Sequence, residues 1–172
     1  RTIFKPPKAN QMKPEVYIIQ TDIPFNSNSF IPWANKINEL TARPEYLDLV
    51  TSACERFADL GHSVLMVSDR TEFLEKCYNK NPDRSVLVTG DPNIDREQAH
   101  KLFRNKERDI LNGAISIYKE GISEDYLSCL VLGAVINNDP LLEQLIGRIQ
   151  RIYPNKLTPV IVDFVLKGGT AK

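Results

Sequence analysis

The sequence predicts a three-layer α/β domain with a mainly parallel central sheet. Three observations carry that expectation. Short runs rich in Val, Ile and Leu recur along the chain, near residues 16–20, 64–67, 85–89, 110–117, 130–136 and 160–166. Segments of helical length, with apolar residues three or four apart, separate most of them. The 172 residues are 42% hydrophobic and 26% charged, which is ordinary for a single globular domain. Strands joined by helix-length connections pair in parallel, because a short hairpin loop returns the chain only antiparallel.

Taken in order, residues 1–13 carry Arg1, Lys5, Lys8 and Lys13 with no acidic residue and a Pro6-Pro7 pair. They read as an extended arm, so that 1–14 is a connection and 15–172 the domain. The first strand is expected over 16–20. Residues 22–33 hold Pro24, Pro32 and several Asn and Ser, and read as a loop, with Trp33 as a core plug in preference to an exposed stacking residue. Pro44 suits a first helical turn, and Tyr46, Leu49, Val50, Ala53, Cys54, Phe57 and Ala58 form an apolar stripe that Gly61 can end. A buried strand follows at 64–67. Phe73, Leu74, Cys77 and Tyr78 mark the next helix, and 85–89 is a strand ended by Gly90-Asp91-Pro92. Residues 94–106 form a charged helix with Ala99, Leu102 and Phe103 inward, and 110–117, 130–136 and 160–166 complete about six strands.

Lys plus Arg and Asp plus Glu both number 22, so no global basic field announces a nucleic-acid partner, and such contacts must come from local charge. Cys54, Cys77 and Cys129 are widely spaced, match no zinc pattern and sit among apolar residues. They read as buried thiols in a reducing, cytoplasmic compartment. No apolar run approaches the roughly 20 residues that span a bilayer, so no membrane partner is expected.

In doubly wound sheets, ligands bind outside the carboxyl ends of the strands. The residues to watch are therefore 68–70, 89–91, 119–123 and the helix after Asn138. That helix, 137–151, reads NNDPLLEQLIGRIQR. Asp139 is a good N-cap and Pro140 a good first helical residue. At about 100° per residue, Leu142, Leu145, Ile146 and Ile149 share one side. Gln144, Arg148 and Arg151 fall within roughly 60° of each other on the other side, with Gly147 beside them leaving room for a close approach. Two guanidinium groups one turn apart offer planar donors for phosphate oxygens. On charge alone, the same arrangement also describes a solvated helix face.

Gln144, Gly147, Arg148 and Arg151 form QxxGRxxR, which resembles the sixth motif of the superfamily two helicases. The surroundings resemble the same family in the same order. Residues 119–123, Lys-Glu-Gly-Ile-Ser, are similar to the fifth-motif turn before a strand. Residues 61–73 are similar to the fourth-motif strand and its loop. Residues 86–103 resemble the strand, Gly-Asp turn and helix between them, with Arg96 and Phe103 at matching places. Ser123 stands where many members have an Asp that contacts the nucleotide ribose, and a hydroxyl still offers a hydrogen bond there. Where the fifth motif begins with a Thr or Ser that touches nucleic-acid phosphate, only Ser116 matches. The Gly-Ile-Ser form is closest in flavour to phage helicases of recombination and branch remodelling.

The resemblance implies a second RecA-like motor domain. Arg148 and Arg151, with Gln144, would act on ATP as catalytic groups across a cleft. Glu120, Gly121, Ser123 and Gly147 would line the nucleotide. Ser68, Arg70, Thr89, Gly90 and Ser116 would grip a nucleic-acid backbone, DNA in preference to RNA. The sequence contains neither GxxxxGK[ST] nor a DExD/DExH box. ATP and magnesium would accordingly be held mainly by a first RecA-like domain of the same protein, with the basic residues 1–14 as the connection to it. Arg70 reads equally as a surface charge at a helix start, and Thr89-Gly90 equally as a plain turn. A stand-alone nucleotide-binding α/β domain and a nucleic-acid-binding module without motor activity are the alternatives. The first would need its own phosphate loop or acidic cluster.

Overall fold

Residues 64–68 are buried without exception, and so are 110–114 and 129–132. Strands covered on both faces are the mark of a parallel sheet lined by helices. The computed structural model, which describes residues 11–119 and 124–168, builds that sheet from β1 (Glu15–Pro24), β2 (Val64–Ser68), β3 (Ser85–Val88), β4 (Ile110–Ala114), β5 (Cys129–Leu132) and β6 (Val160–Lys167). Their spatial order is β1-β6-β5-β2-β4-β3, with every pairing parallel.

Strand alternation sorts side chains into two layers. On one face Val64 and Met66 of β2 join Cys129 and Val131 of β5 and Val160, Val162, Phe164 and Leu166 of β6. Three helices cover them: α1 (Trp33–Thr41), α2 (Pro44–Asp59) and α3 (Thr71–Lys80). On the other face Leu65, Val67, Leu130, Leu132 and Ile161 meet α4 (Arg96–Arg104), α5 (Ile115–Tyr118) and α6 (Asp139–Ile149). Cys54, Cys77 and Cys129 are all buried, free thiols. Gly61 ends α2 at φ 101°, a conformation in which a Cβ would be strained. None of the described helices is long and apolar enough to cross a membrane.

The sheet departs from the sequence expectation at three strand ends. The fourth strand stops at Ala114 rather than running to 117. Ile115 and Tyr118, one helical turn apart, are both buried under α4, where the Tyr118 hydroxyl meets His100 Nε2 at 2.8 Å. Packing thus overrides the strand preference of the β-branched run. The fifth strand stops at Leu132 rather than 136; Gly133 just beyond it donates to the Val67 carbonyl at 2.9 Å and lies so close to β2 that a Cβ would stand 2.6 Å from Met66 Sδ. The Gly133 carbonyl accepts a buried hydrogen bond from Tyr46 Oη at 2.9 Å, tying α2 to the end of β5. The first strand continues to Pro24. Trp33, expected as a core plug, opens α1 at 41% exposure, edge-on to Phe25 with ring centres 5.6 Å apart. On α6 the cap is Asn138, whose Oδ1 accepts from the Leu141 amide at 3.0 Å, and Asp139 sits in the first turn instead.

Candidate functional site

Helix α6 presents its residues as its periodicity predicts. Leu142, Leu145, Ile146 and Ile149 are buried, Gln144 is exposed, and Gly147 and Arg148 are half-buried. A Cβ on Gly147 would meet nothing within 4 Å, so that face is open to another group. The helix ends at Ile149 with Gln150 as C-cap, and Arg151 lies beyond it in an isolated antiparallel bridge with Gln11. Arg151 is therefore held by tertiary contacts and not by helical hydrogen bonds, as its place in a helical pattern had implied.

The position of these arginines corrects the expectation that every site residue follows the carboxyl ends of the strands. Helix α6 starts on that rim, after β5, and runs back along the sheet for 11 residues, roughly 16 Å at 1.5 Å per residue. Arg151 emerges at the opposite, amino edge. Its Nη1 reaches Asp125 Oδ1 at 3.1 Å, shortly before β5 begins. The Met12 amide donates to the Gln150 carbonyl at 2.7 Å, drawing the residues before β1 to the same place. Burial, and then repulsion from the neighbouring Arg151 guanidinium, lowers the pKa of Arg148. The two charges are thus close enough to oppose each other. Such a pair attracts an anion with several oxygens, since one phosphate group relieves both. Glu120, Gly121 and Ser123 lie outside the described residues. The chain is next described at Glu124, a buried carboxylate 3.6 Å from the Arg104 guanidinium.

The other candidate residues gather on the carboxyl rim. Ser68 is in register with Ala114, and Val88 with Gly113, so Ser68, Thr89, Gly90 and Ser116 sit level across β2, β3 and β4. They are not equivalent. Ser68 and Thr89 are buried, and each hydroxyl accepts from an amide of its own turn: Arg70 N at 3.1 Å and Asp91 N at 3.2 Å. They shape the turns. Gly90 and Ser116 are exposed. Arg70 is aimed by two partners, Asn38 Oδ1 at 2.9 Å from its Nε and Asp69 Oδ2 at 3.3 Å from its Nη1. Asn38, Thr41, Arg70, Thr71 and Lys76 line a cleft of about 230 Å³ between α1 and α3.

Sequence reasoning missed Asn38, Asp125 and Lys156. Asn38 and Asp125 carry no local signal, since their partners are 32 and 26 residues away. Lys156 had one: Tyr153-Pro154-Asn155-Lys156 is a turn sequence.

No protein-family model matches the chain. A protein of Escherichia phage T5 named "Probable helicase D10" is 37% identical over 172 residues, which take in 98% of this chain and 38% of that protein. The chain thus spans well under half of its relative's length. Phage T4 UvsW shares the fold, with a TM-score of 0.70 at 15% identity over 91% of this chain and 33% of that one. The C-terminal part of the Fun30 ATPase domain does so with a TM-score of 0.58 at 14% identity, over 78% of this chain and 45% of that one.

Proposed function

We propose that the chain is a RecA-like domain of the superfamily two helicases, and within that family the second motor domain of an ATP-dependent helicase or translocase. ATP and magnesium are held mainly by a first RecA-like domain of the same protein. Arg148 and Arg151 reach the phosphates across the cleft, with Gln144 beside them. Gly147 leaves room for the nucleotide, and Glu120, Gly121 and Ser123 complete its lining. Exposed Gly90 and Ser116, with Arg70, hold the backbone of a nucleic acid, DNA in preference to RNA. Ser68 and Thr89 shape the loops that do so.

The observation that carries this reading is the placement of Arg148 in the last turn of α6 and Arg151 just past its end, on an edge left open by Gly147. Guanidinium groups a turn apart can share the oxygens of one phosphate. Their separation from the carboxyl rim supports two tasks on two edges of one sheet: hydrolysis at one, and grip at the other. Fixed guanidinium groups stabilise the charge on a transferring phosphoryl group, an effect worth roughly 10³ to 10⁵ in rate. Domain closure on ATP and opening after hydrolysis would then move the grip along the strand.

The test is steady-state ATP hydrolysis by the parent enzyme with saturating nucleic acid. Arg148→Ala is expected to lose roughly 10³-fold in kcat with an unchanged circular dichroism spectrum, because the side chain stands off the buried stripe of α6. Arg148→Lys should rescue poorly, since an ammonium cannot reproduce a two-pronged donor. Lys101→Glu, on the exposed face of α4, should be silent. A folded Arg148→Ala enzyme with normal hydrolysis would sink the assignment of Arg148 to the ATP phosphates.

A further inference from the structure

The loop after α6 folds a third cation onto the arginine edge. Lys156 Nζ donates to the main-chain carbonyl of Arg151 at 2.6 Å and to that of Asp125 at 3.0 Å. The turn that returns it is built for the purpose. The Lys156 amide closes on the Tyr153 carbonyl at 3.2 Å, with Pro154 second and Asn155 third at φ 61°. Proline followed by a residue at positive φ is the pattern of a type II turn, and Asn tolerates that conformation better than other side-chain-bearing residues.

We propose that Lys156 is a positioning residue for Arg151: its ammonium pins the Arg151 and Asp125 carbonyls together and so sets where the Arg151 guanidinium stands. Arg151 needs such a pin because it lies past the C-cap of α6, outside the helical hydrogen-bond ladder. Its other ties include the bridge to Gln11 and the ion pair with Asp125. That ion pair joins side chains that are 49% and 48% exposed, too solvated to hold the geometry alone. The Lys156 contacts are to main-chain oxygens in a half-buried place, and they fix the backbone from which the guanidinium extends. Placing an ammonium beside Arg151 is electrostatically unfavourable. Burial and that repulsion bring its pKa down to about 8, while Asp125 acts the other way. A displacement of about 1 Å in a group acting on a reacting centre can cost roughly a hundredfold in rate, so a pin of this kind would be read out in turnover.

The inference rests on the role proposed for Arg151, and the experiment separates the two. In the parent enzyme, kcat and KM for ATP are measured for Lys156→Met, Lys156→Arg, Arg151→Ala and the double variant Lys156→Met/Arg151→Ala, with single-turnover assays for the slow ones and thermal unfolding for all. Lys156→Met is expected to lower kcat about ten- to a hundredfold with KM changed by less than about threefold. Lys156→Arg, which can still donate to both carbonyls, should recover most of the loss. In the Arg151→Ala background, Lys156→Met should add nothing, because the residue it positions is gone. If the two losses multiply, or if Lys156→Met hydrolyses normally while Arg151→Ala is impaired, the positioning role is wrong and the role of Arg151 at the phosphates stands. If Arg151→Ala itself is normal, both fail. Should Lys156→Met unfold, Lys156→Gln, polar but uncharged and one atom too short to bridge both carbonyls, replaces it in the same cycle.

Discussion

Arg151 Nη1 stands 3.1 Å from Asp125 Oδ1, so the second guanidinium of the pair is already engaged by a carboxylate. An incoming phosphate must compete with that carboxylate, and both residues are about half exposed, so the exchange is inexpensive. Asp125→Asn removes the competing charge and is expected to lower KM for ATP in the parent enzyme by roughly two- to fivefold, with stability changed by less than about 1 kcal/mol. A raised KM would mean that Asp125 helps to present Arg151 instead.

The isolated chain 1–172 is expected to turn over ATP at background rate, because it lacks a phosphate loop of its own. Its hold on single- or double-stranded DNA should be weak and fall steeply with salt, given a net charge of zero and few exposed backbone contacts. Robust magnesium-dependent hydrolysis, or tight binding that persists in high salt, would contradict the division of labour proposed above.

Tyr46 is fully buried and its hydroxyl donates to the Gly133 carbonyl at 2.9 Å, so Tyr46→Phe leaves a buried carbonyl short of a partner. A loss of about 1–2 kcal/mol in urea unfolding is expected. Gly133→Ala should cost more, because its Cβ would enter the space of Met66 Sδ and the Val67 carbonyl. Equal stability of wild type and Tyr46→Phe would show that the hydroxyl bond contributes nothing net.

Lys156 gives a signed pH prediction. Its folded pKa of about 8 lies below the value of an unfolded lysine, near 10.4. Between those limits the unfolded chain holds more protons, so this group makes stability rise with pH. The buried thiols of Cys54, Cys77 and Cys129 act oppositely: burial pushes each pKa up, and stability falls as unfolded thiols ionise. Removing the lysine should therefore leave the thiol loss unopposed. Denaturant midpoints between pH 8 and 10 should decline more steeply for Lys156→Met than for wild type. Parallel profiles would place the ammonium in solvent.

The six strands and most helices were legible because their signals are local. An apolar run such as 64–67 can be satisfied only by burial on both faces, and the stripe of Leu142, Leu145, Ile146 and Ile149 only by a helix laid on a sheet. The motif resemblance was legible too, since the spacing of Gln144, Gly147, Arg148 and Arg151 is a property of the chain itself. Other features came only from the fold. Ile115 to Tyr118 reads as strand and becomes helix because α4 offers a pocket and a histidine for Tyr118. Arg148 and Arg151 fall on the amino edge, away from the rim that holds Gly90 and Ser116, because a helix of 11 residues carries its two ends to opposite sides of a parallel sheet. The contacts of Asp125 and Lys156 with Arg151 arise where the chain before β5 meets the loop after α6. Periodicity records which side of an element is apolar. Which residues from distant segments meet is decided by how those apolar sides pack.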